Sequence, residues 1–356
     1  MAELVLALGT SHSPLVALDA LGWEARSKND RVNKHLFDAD GSVLSYEELA
    51  HRAADQHVAR ASISVFAQQK ALVRHSLDRL AADIEAARPD VVVIIGDDEH
   101  ELFSSANMPA LSIYHGAHAV TRIMLRESDP EKHDPEWAWA QDVAPVYGME
   151  TNVQLPLSPE VALALIASLM DEGFDVAAGD HVPDPERAAF GHAFGFVFTR
   201  LLDRRAVPIV PILLNTYYPP NQPTPKRCYA LGVALRKAIA GLPDGMRVAL
   251  VASGGLSHFV TNEPLDRIIV EALQSGDFEA MCAIPTSALQ SGSSEIRCWI
   301  ALAGALRDLH LDWLEYVPVY RTPAGTGIGM AFASWSNPHV TDAPAMAPAS
   351  QVSAKT

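Results

Sequence analysis

Two short segments of this 356-residue chain have the residue types and setting for chemistry: Thr10-Ser-His-Ser-Pro14 and Val251-Ala-Ser-Gly-Gly-Leu-Ser-His258. Each follows an apolar run of strand type, Leu4–Leu8 in one case and Val248–Ala252 in the other, and each breaks into small residues around a single histidine. A chain leaving a buried strand enters the crevice at the carboxyl edge of an α/β sheet, where ligands bind. The third segment is Ser291-Gly-Ser-Ser-Glu-Ile-Arg-Cys-Trp299, which puts Glu295 at the first turn of a predicted helix through Ile300–Leu306. The fourth is Gly96-Asp-Asp-Glu-His-Glu-Leu-Phe103, an acidic stretch after the predicted strand Val91–Ile95. Neutral imidazoles and a carboxylate with open positions are the facial triad that holds non-haem ferrous iron for oxygen chemistry.

The elements that must position these residues alternate between strand and helix patterns, which predicts an α/β fold with a central sheet flanked by helices. After the first strand comes a polar region, about 24–58, and then a helix over Ser62–Ala87 stopped by Pro89. Ser158-Pro159-Glu160 reads as a helix start, with a capping serine, proline at the first position and a carboxylate at the positive end. Gly173 suits its end. Strands are expected at Phe174–Ala178 and Val207–Leu214 around a helix over 184–203. Another helix over Pro225–Ala240 leads into a strand at 247–252. The segment 315–335 reads as two strands joined by a glycine-rich turn, and the Ala/Pro/Ser-rich residues 337–356 as a disordered tail. One large domain, residues 1–336 with a polar helical insertion at about 24–88, is the expected organisation.

The chain resembles the class III extradiol ring-cleavage dioxygenases, the LigB-type family of the protocatechuate 4,5-dioxygenase β subunit. The likeness rests on SHSP at 11–14, GDDEHELF at 96–103, Lys226–Gly232 with SGGLSH at 253–258, and SEIRCW at 294–299. It implies an enzyme that binds Fe(2+), takes a catechol-type ring with or without a carboxylate, and opens it with both atoms of dioxygen. His12 and Glu295 are then metal ligands, and His258 the acid/base beside the substrate hydroxyl. His192 roughly matches a second active-site histidine, although it also falls in an apolar helical pattern. In the family a ligand histidine stands four residues before a phenylalanine; counting back from Phe103 gives Glu99, with His100 its neighbour. Register favours Glu99 and chemistry favours His100, and strand alternation lets only one of them face the metal. Asn215, Tyr217 and Tyr218, after the strand 207–214, are candidates to line the substrate pocket, and Arg297 or Arg321 to meet a substrate carboxylate. The alternative is a fold relative whose altered metal site serves a metal-dependent hydrolase or no oxygenase at all.

Composition narrows the partners. Nearly half the residues are apolar and a fifth charged, as in globular enzymes. A formal charge of −16 opposes binding to nucleic acid phosphates, and no apolar run reaches the length of a membrane span. Cys228, Cys282 and Cys298 lack paired spacing and suit a reducing, cytoplasmic setting. A homo-oligomer binding a small aromatic diol and O2 is expected. His115 with His118, and His51 with His57, read as ordinary surface residues.

Overall fold

The computed structural model describes residues 1–38, 40–134, 137–182 and 184–339; the proposed tail beyond His339 lies outside the described residues. Its centre is a nine-stranded mixed sheet. The strands in chain order are β1 (Glu3–Thr10), β2 (Val91–Gly96), β3 (Leu111–Tyr114), β4 (Ala177–Gly179), β5 (Ile209–Leu214), β6 (Arg247–Ser253), β7 (His258–Val260), β8 (His310–Tyr320) and β9 (Thr326–Ser336). Across the sheet they run β7-β9-β1-β6-β2-β5-β3-β4, and β8 pairs with the outer side of β9. The central strands β1, β6, β2 and β5 are parallel, so their carboxyl ends open on the same edge. β9 runs antiparallel to β1, β7 and β8.

Strand alternation divides the core. Val91, Val93 and Ile95 join one apolar layer with Leu231, Leu235, Trp299 and Ile300, whereas Val92 and Ile94 join the other with Phe66, Leu77 and Phe194. Both faces of β2 are therefore buried, which is why it reads as an unbroken apolar run. The helices Pro225–Ala240 and Ile296–Ala305 cover the first face, and the helix Ile63–Ala87 the second.

Two expected elements are shorter than their sequence patterns. Of the helix predicted over 184–203, only His192–Phe196 is α-helical, followed by a wider turn over Val197–Leu201. Upstream, Ala189 N donates to Glu101 O and Phe190 N to Val120 O, so this backbone pairs across the loops instead of along a helix. The strand predicted at Phe174–Ala178 starts only at Ala177, because Phe174 N turns back to Leu169 O after Gly173 adopts φ +79. The polar region after β1 forms the helices Ala20–Asp30 and Tyr46–Ala53, with a two-stranded hairpin, Leu36–Phe37 with Val43–Leu44, between them. No helix among the described residues is long and apolar enough to cross a membrane.

Candidate metal centre and active site

The carboxyl edge of the parallel strands gathers the titratable residues. His12 follows β1, Asp97 is the first residue after β2, and His258 opens β7 after the loop that leaves β6. Glu295 closes a helical turn, Ser291–Glu295, immediately before the helix Ile296–Ala305. That helix is pinned to the β6 loop by the Trp299 indole, which donates to Gly254 O at 2.8 Å. His192 begins its short helix facing the same point, with its ring centroid 4.5 Å from that of His12.

Hydrogen bonds fix which ring nitrogens are free. Ser253 Oγ donates to Ala193 O at 2.9 Å and so accepts from His12 Nδ1 at 2.8 Å. This leaves His12 Nε2 facing Glu295 Oε2 at 3.3 Å and Asp97 Oδ1 at 3.8 Å. His192 Nδ1 donates to Glu101 Oε1 at 2.8 Å, and its Nε2 faces Asp97 Oδ1 at 4.0 Å. Burial opposes a proton on this ring, but these carboxylates outweigh it and raise its affinity for one well above the ordinary value. His12 Nε2 and both Asp97 carboxylate oxygens are buried without a hydrogen-bond partner. Carboxylate oxygens gathered in a buried site repel one another unless a cation lies between them. Donor atoms of His12, Asp97 and His192 lie within 4.8 Å of one another, as do those of Asp97, Glu99 and Glu295. This donor set fits a divalent cation, and the outer contacts to Ser253 and Glu101 are of the kind that orient ligand imidazoles.

His258 differs. Its Nδ1 meets Leu256 O at 2.8 Å and its Nε2 meets Glu295 Oε1 at 2.9 Å, both acceptors, so the ring carries two protons here. Burial would discharge it, but Glu295 outweighs burial and raises its affinity for the proton. Burial would equally raise Glu295, yet His258 and His12 hold that carboxyl well below its ordinary range. Burial pushes Asp97 up to about 6, with Glu295 adding to it. Glu99 touches solvent because it lies on a cavity wall, but the surrounding protein desolvates it enough to raise it to about 8.

Two glycines allow these contacts. A Cβ on Gly292 would stand 2.0 Å from His258 Cδ2, and one on Gly191 only 1.6 Å from Glu101 Oε2. Any side chain at either position would displace the imidazole or the carboxylate.

A cavity of about 430 Å³ opens above the cluster. His12, Glu99, Glu101, His192, His258 and Glu295 line its base, and Arg26, Arg122, Met124, Trp139, Tyr147 and Arg321 are among its other lining residues. The remaining sequence-predicted residues, Arg321 apart, lie elsewhere. His100 is outside the cluster: it adopts φ +61, and its exposed ring stacks on Tyr218 with centroids 3.7 Å apart. The strand ends at Gly96, so the alternation that weighed Glu99 against His100 does not extend to them. A left-handed turn separates the two.

Arg297 is buried away from the cavity, where its guanidinium donates to the carbonyls of Pro223, Thr216, Leu289 and Ser294. With its donors engaged by backbone, it is not the carboxylate partner that the sequence suggested. Arg321 lines the cavity but is held by Asp30 through bonds of 2.8 and 2.9 Å. Asn215 binds Tyr218 O and Asn221 and shapes a loop rather than the cavity wall. Tyr217 donates to or accepts from Ser291 Oγ at 3.2 Å, beside the turn that carries Glu295. Asp97 and Glu101 were legible only as part of an acidic run. The signal for Asp97 was its position, first after a buried strand.

Residues 57–331 match the family model described as the catalytic LigB subunit of aromatic ring-opening dioxygenase. A 2,3-dihydroxyphenylpropionate/2,3-dihydroxicinnamic acid 1,2-dioxygenase of Comamonas testosteroni is 29% identical over 195 residues, covering 51% of this chain and 50% of that protein. A gallate dioxygenase of Pseudomonas putida is 38% identical over 99 residues, 27% of each chain. The chain thus spans half or less of the length of these two curated relatives. The family match covers most of the sheet and every strand-end segment except that of His12, and the chain belongs to the LigB family.

Proposed function

We propose that this chain opens a catechol-type aromatic ring with dioxygen at a divalent metal held by His12, Asp97 and Glu295, with Glu99 reaching it from the cavity wall. The observation that carries the reading is that His12 Nε2 and both Asp97 carboxylate oxygens are buried with no hydrogen-bond partner in the protein. Imidazole and carboxylate donors are those of ferrous sites, and ferrous iron is the proposed metal. When bound, it would supply a template for diol and dioxygen and a route for charge between them. Relatives named for a 2,3-dihydroxyphenyl compound and for gallate support a vicinal aromatic diol as substrate.

The chain's own groups divide the remaining work. His258 holds a proton at Nε2 beside Glu295 and at the cavity surface, placed to exchange it with a substrate hydroxyl. His192, locked by Glu101 at Nδ1, presents Nε2 to the same space as a second acid/base group. Residues 1–336 would act as one catalytic domain.

Glu99, at the position where the family resemblance implies a histidine, favours one second reading: a carboxylate-rich centre serving a metal-dependent hydrolase. Anaerobic loading with ferrous iron, then oxygen uptake and product analysis over a catechol panel, separates the two. Oxygen consumption with ring-opened product supports the dioxygenase; zinc-dependent ester or amide hydrolysis without oxygen uptake supports the hydrolase.

A further inference from the structure

His258 is gripped from two sides by residues outside the donor cluster. Behind it stands Asp266, on the helix Glu263–Ser275 and fully buried. Asp266 Oδ1 accepts from Ser257 N at 2.8 Å, and its Oδ2 accepts from Ser257 Oγ at 2.8 Å and Tyr316 OH at 2.7 Å. Burying a carboxylate is costly, and two of the three bonds that offset the cost go to the residue next to His258. Ser257 Oγ accepts in turn from Asn262 N at 2.7 Å. Gly329 N donates to Ser257 O at 2.8 Å, and Leu256 N to Gly329 O at 3.0 Å. A Cβ on Gly329 would stand 2.0 Å from Asp266 Oδ2, so β9 leaves room for the carboxylate at this point. Leu256, fixed in this way, offers its carbonyl to His258 Nδ1 at 2.8 Å.

In front stands Ser293, in the turn Ser291–Glu295. Its Oγ accepts from His258 N at 3.0 Å and donates to His258 O at 3.1 Å. One hydroxyl thus holds both backbone polar groups of His258. It does so two residues before Glu295, whose Oε1 meets His258 Nε2 at 2.9 Å.

We propose that Asp266 and Ser293 are positioning residues for the proton transfer assigned to His258, clamping its backbone so that Nε2 stays between Glu295 and the cavity. The reaction in this statement rests on the ring-opening reading; the clamp rests on the two sets of hydrogen bonds. Neither residue lines the cavity, so both act through His258. A catalytic group misplaced by about 1 Å can cost on the order of 100-fold in rate, and the donor atoms of the metal site need not move for that loss.

A double-mutant cycle on the metal-loaded full chain tests the clamp. Asp266→Asn and Ser293→Ala should each lower kcat about 10- to 100-fold, with KM and metal content near wild type. In a His258→Gln background either change should cost less than about twofold more, because groups that act as a unit are not additive. Equal losses in both backgrounds, or loss of metal together with kcat, would make the two residues structural and overturn the proposal. Tyr316→Phe, on the outer strand β8, removes one bond to Asp266 without touching the loop, and decides the matter should Asp266→Asn not fold. It should lower kcat about two- to fivefold, the usual worth of one hydrogen bond, and only where His258 is present. A readout independent of the reaction is the NMR signal of the His258 Cε1–H group in the zinc-loaded chain, identified by its absence from His258→Gln. It should be a single sharp signal in wild type and should shift or split in Asp266→Asn and Ser293→Ala. An unmoved signal in both variants would overturn the clamp. A moved signal in a chain that takes up no oxygen with any diol would sustain the clamp while sinking the ring-opening reading.

Discussion

His258 Nε2 and Glu295 Oε1 are 2.9 Å apart, a bond that joins the loop after β6 to the start of the helix Ile296–Ala305. Because Glu295 also faces His12 with its other oxygen, the bond couples a proton carrier to the metal site without making His258 a ligand. His258→Gln should therefore retain near wild-type metal content while turnover falls about 10²–10⁴-fold, the usual contribution of a general acid–base group. Loss of metal from this variant would reassign His258 as a ligand.

Gly292→Ala should imitate that loss by a different route. The new Cβ would stand 2.0 Å from His258 Cδ2, so the ring must move while the metal-site residues keep their positions. Turnover should fall at least tenfold, on the order of the cost of a misplaced catalytic group. Wild-type kinetics in this variant would show that the ring position is unimportant.

The acidic segment after β2 gives a three-way comparison. Asp97→Asn and Glu99→Gln should both weaken divalent-metal affinity, whereas His100→Ala, which removes only a ring stacked on Tyr218, should leave it unchanged. Titrations belong at high ionic strength, where diffuse attraction by Asp98 and Glu101 is screened. A collapse of affinity in His100→Ala with Glu99→Gln unaffected would reverse the assignment.

Much of this site was legible in the sequence because buried parallel strands announce their own ends. His12 and His258 were found from apolar runs breaking into small residues and Glu295 from its place at the first turn of a helix, and the structure brings all three together. What failed was local geometry. Choosing between Glu99 and His100 by strand alternation presumed that the strand continued, but the chain turns left-handed at His100. Arg297 looked free because nothing in a sequence shows four carbonyls converging on one guanidinium.

Asp266 carries a pH-dependent prediction. It accepts from Ser257 N and Ser257 Oγ at 2.8 Å and from Tyr316 OH at 2.7 Å, holding the loop that presents His258. Burial nevertheless pushes its pKa up to about 6, above the ordinary 3.8. The folded state therefore binds this proton more tightly than the unfolded state. The contribution to stability is fully present below pH 3.8 and is lost as pH rises through about 6. The stability difference between wild type and Asp266→Asn should shrink over that window by about 3 kcal/mol at most. Denaturant unfolding at pH 4, 5, 6 and 7 measures it, and a difference that grows with pH would refute the assignment.

The most direct test is metal content and oxygen uptake measured on the same anaerobically reconstituted preparation, for wild type and for His12→Ala and Glu295→Gln. The buried, unpartnered His12 Nε2 and Asp97 carboxylate predict one ferrous ion per wild-type chain and oxygen consumption with a catechol, both lost in the two variants. Stoichiometric zinc with no gain from iron, or unchanged iron content in both variants, would contradict the proposed centre.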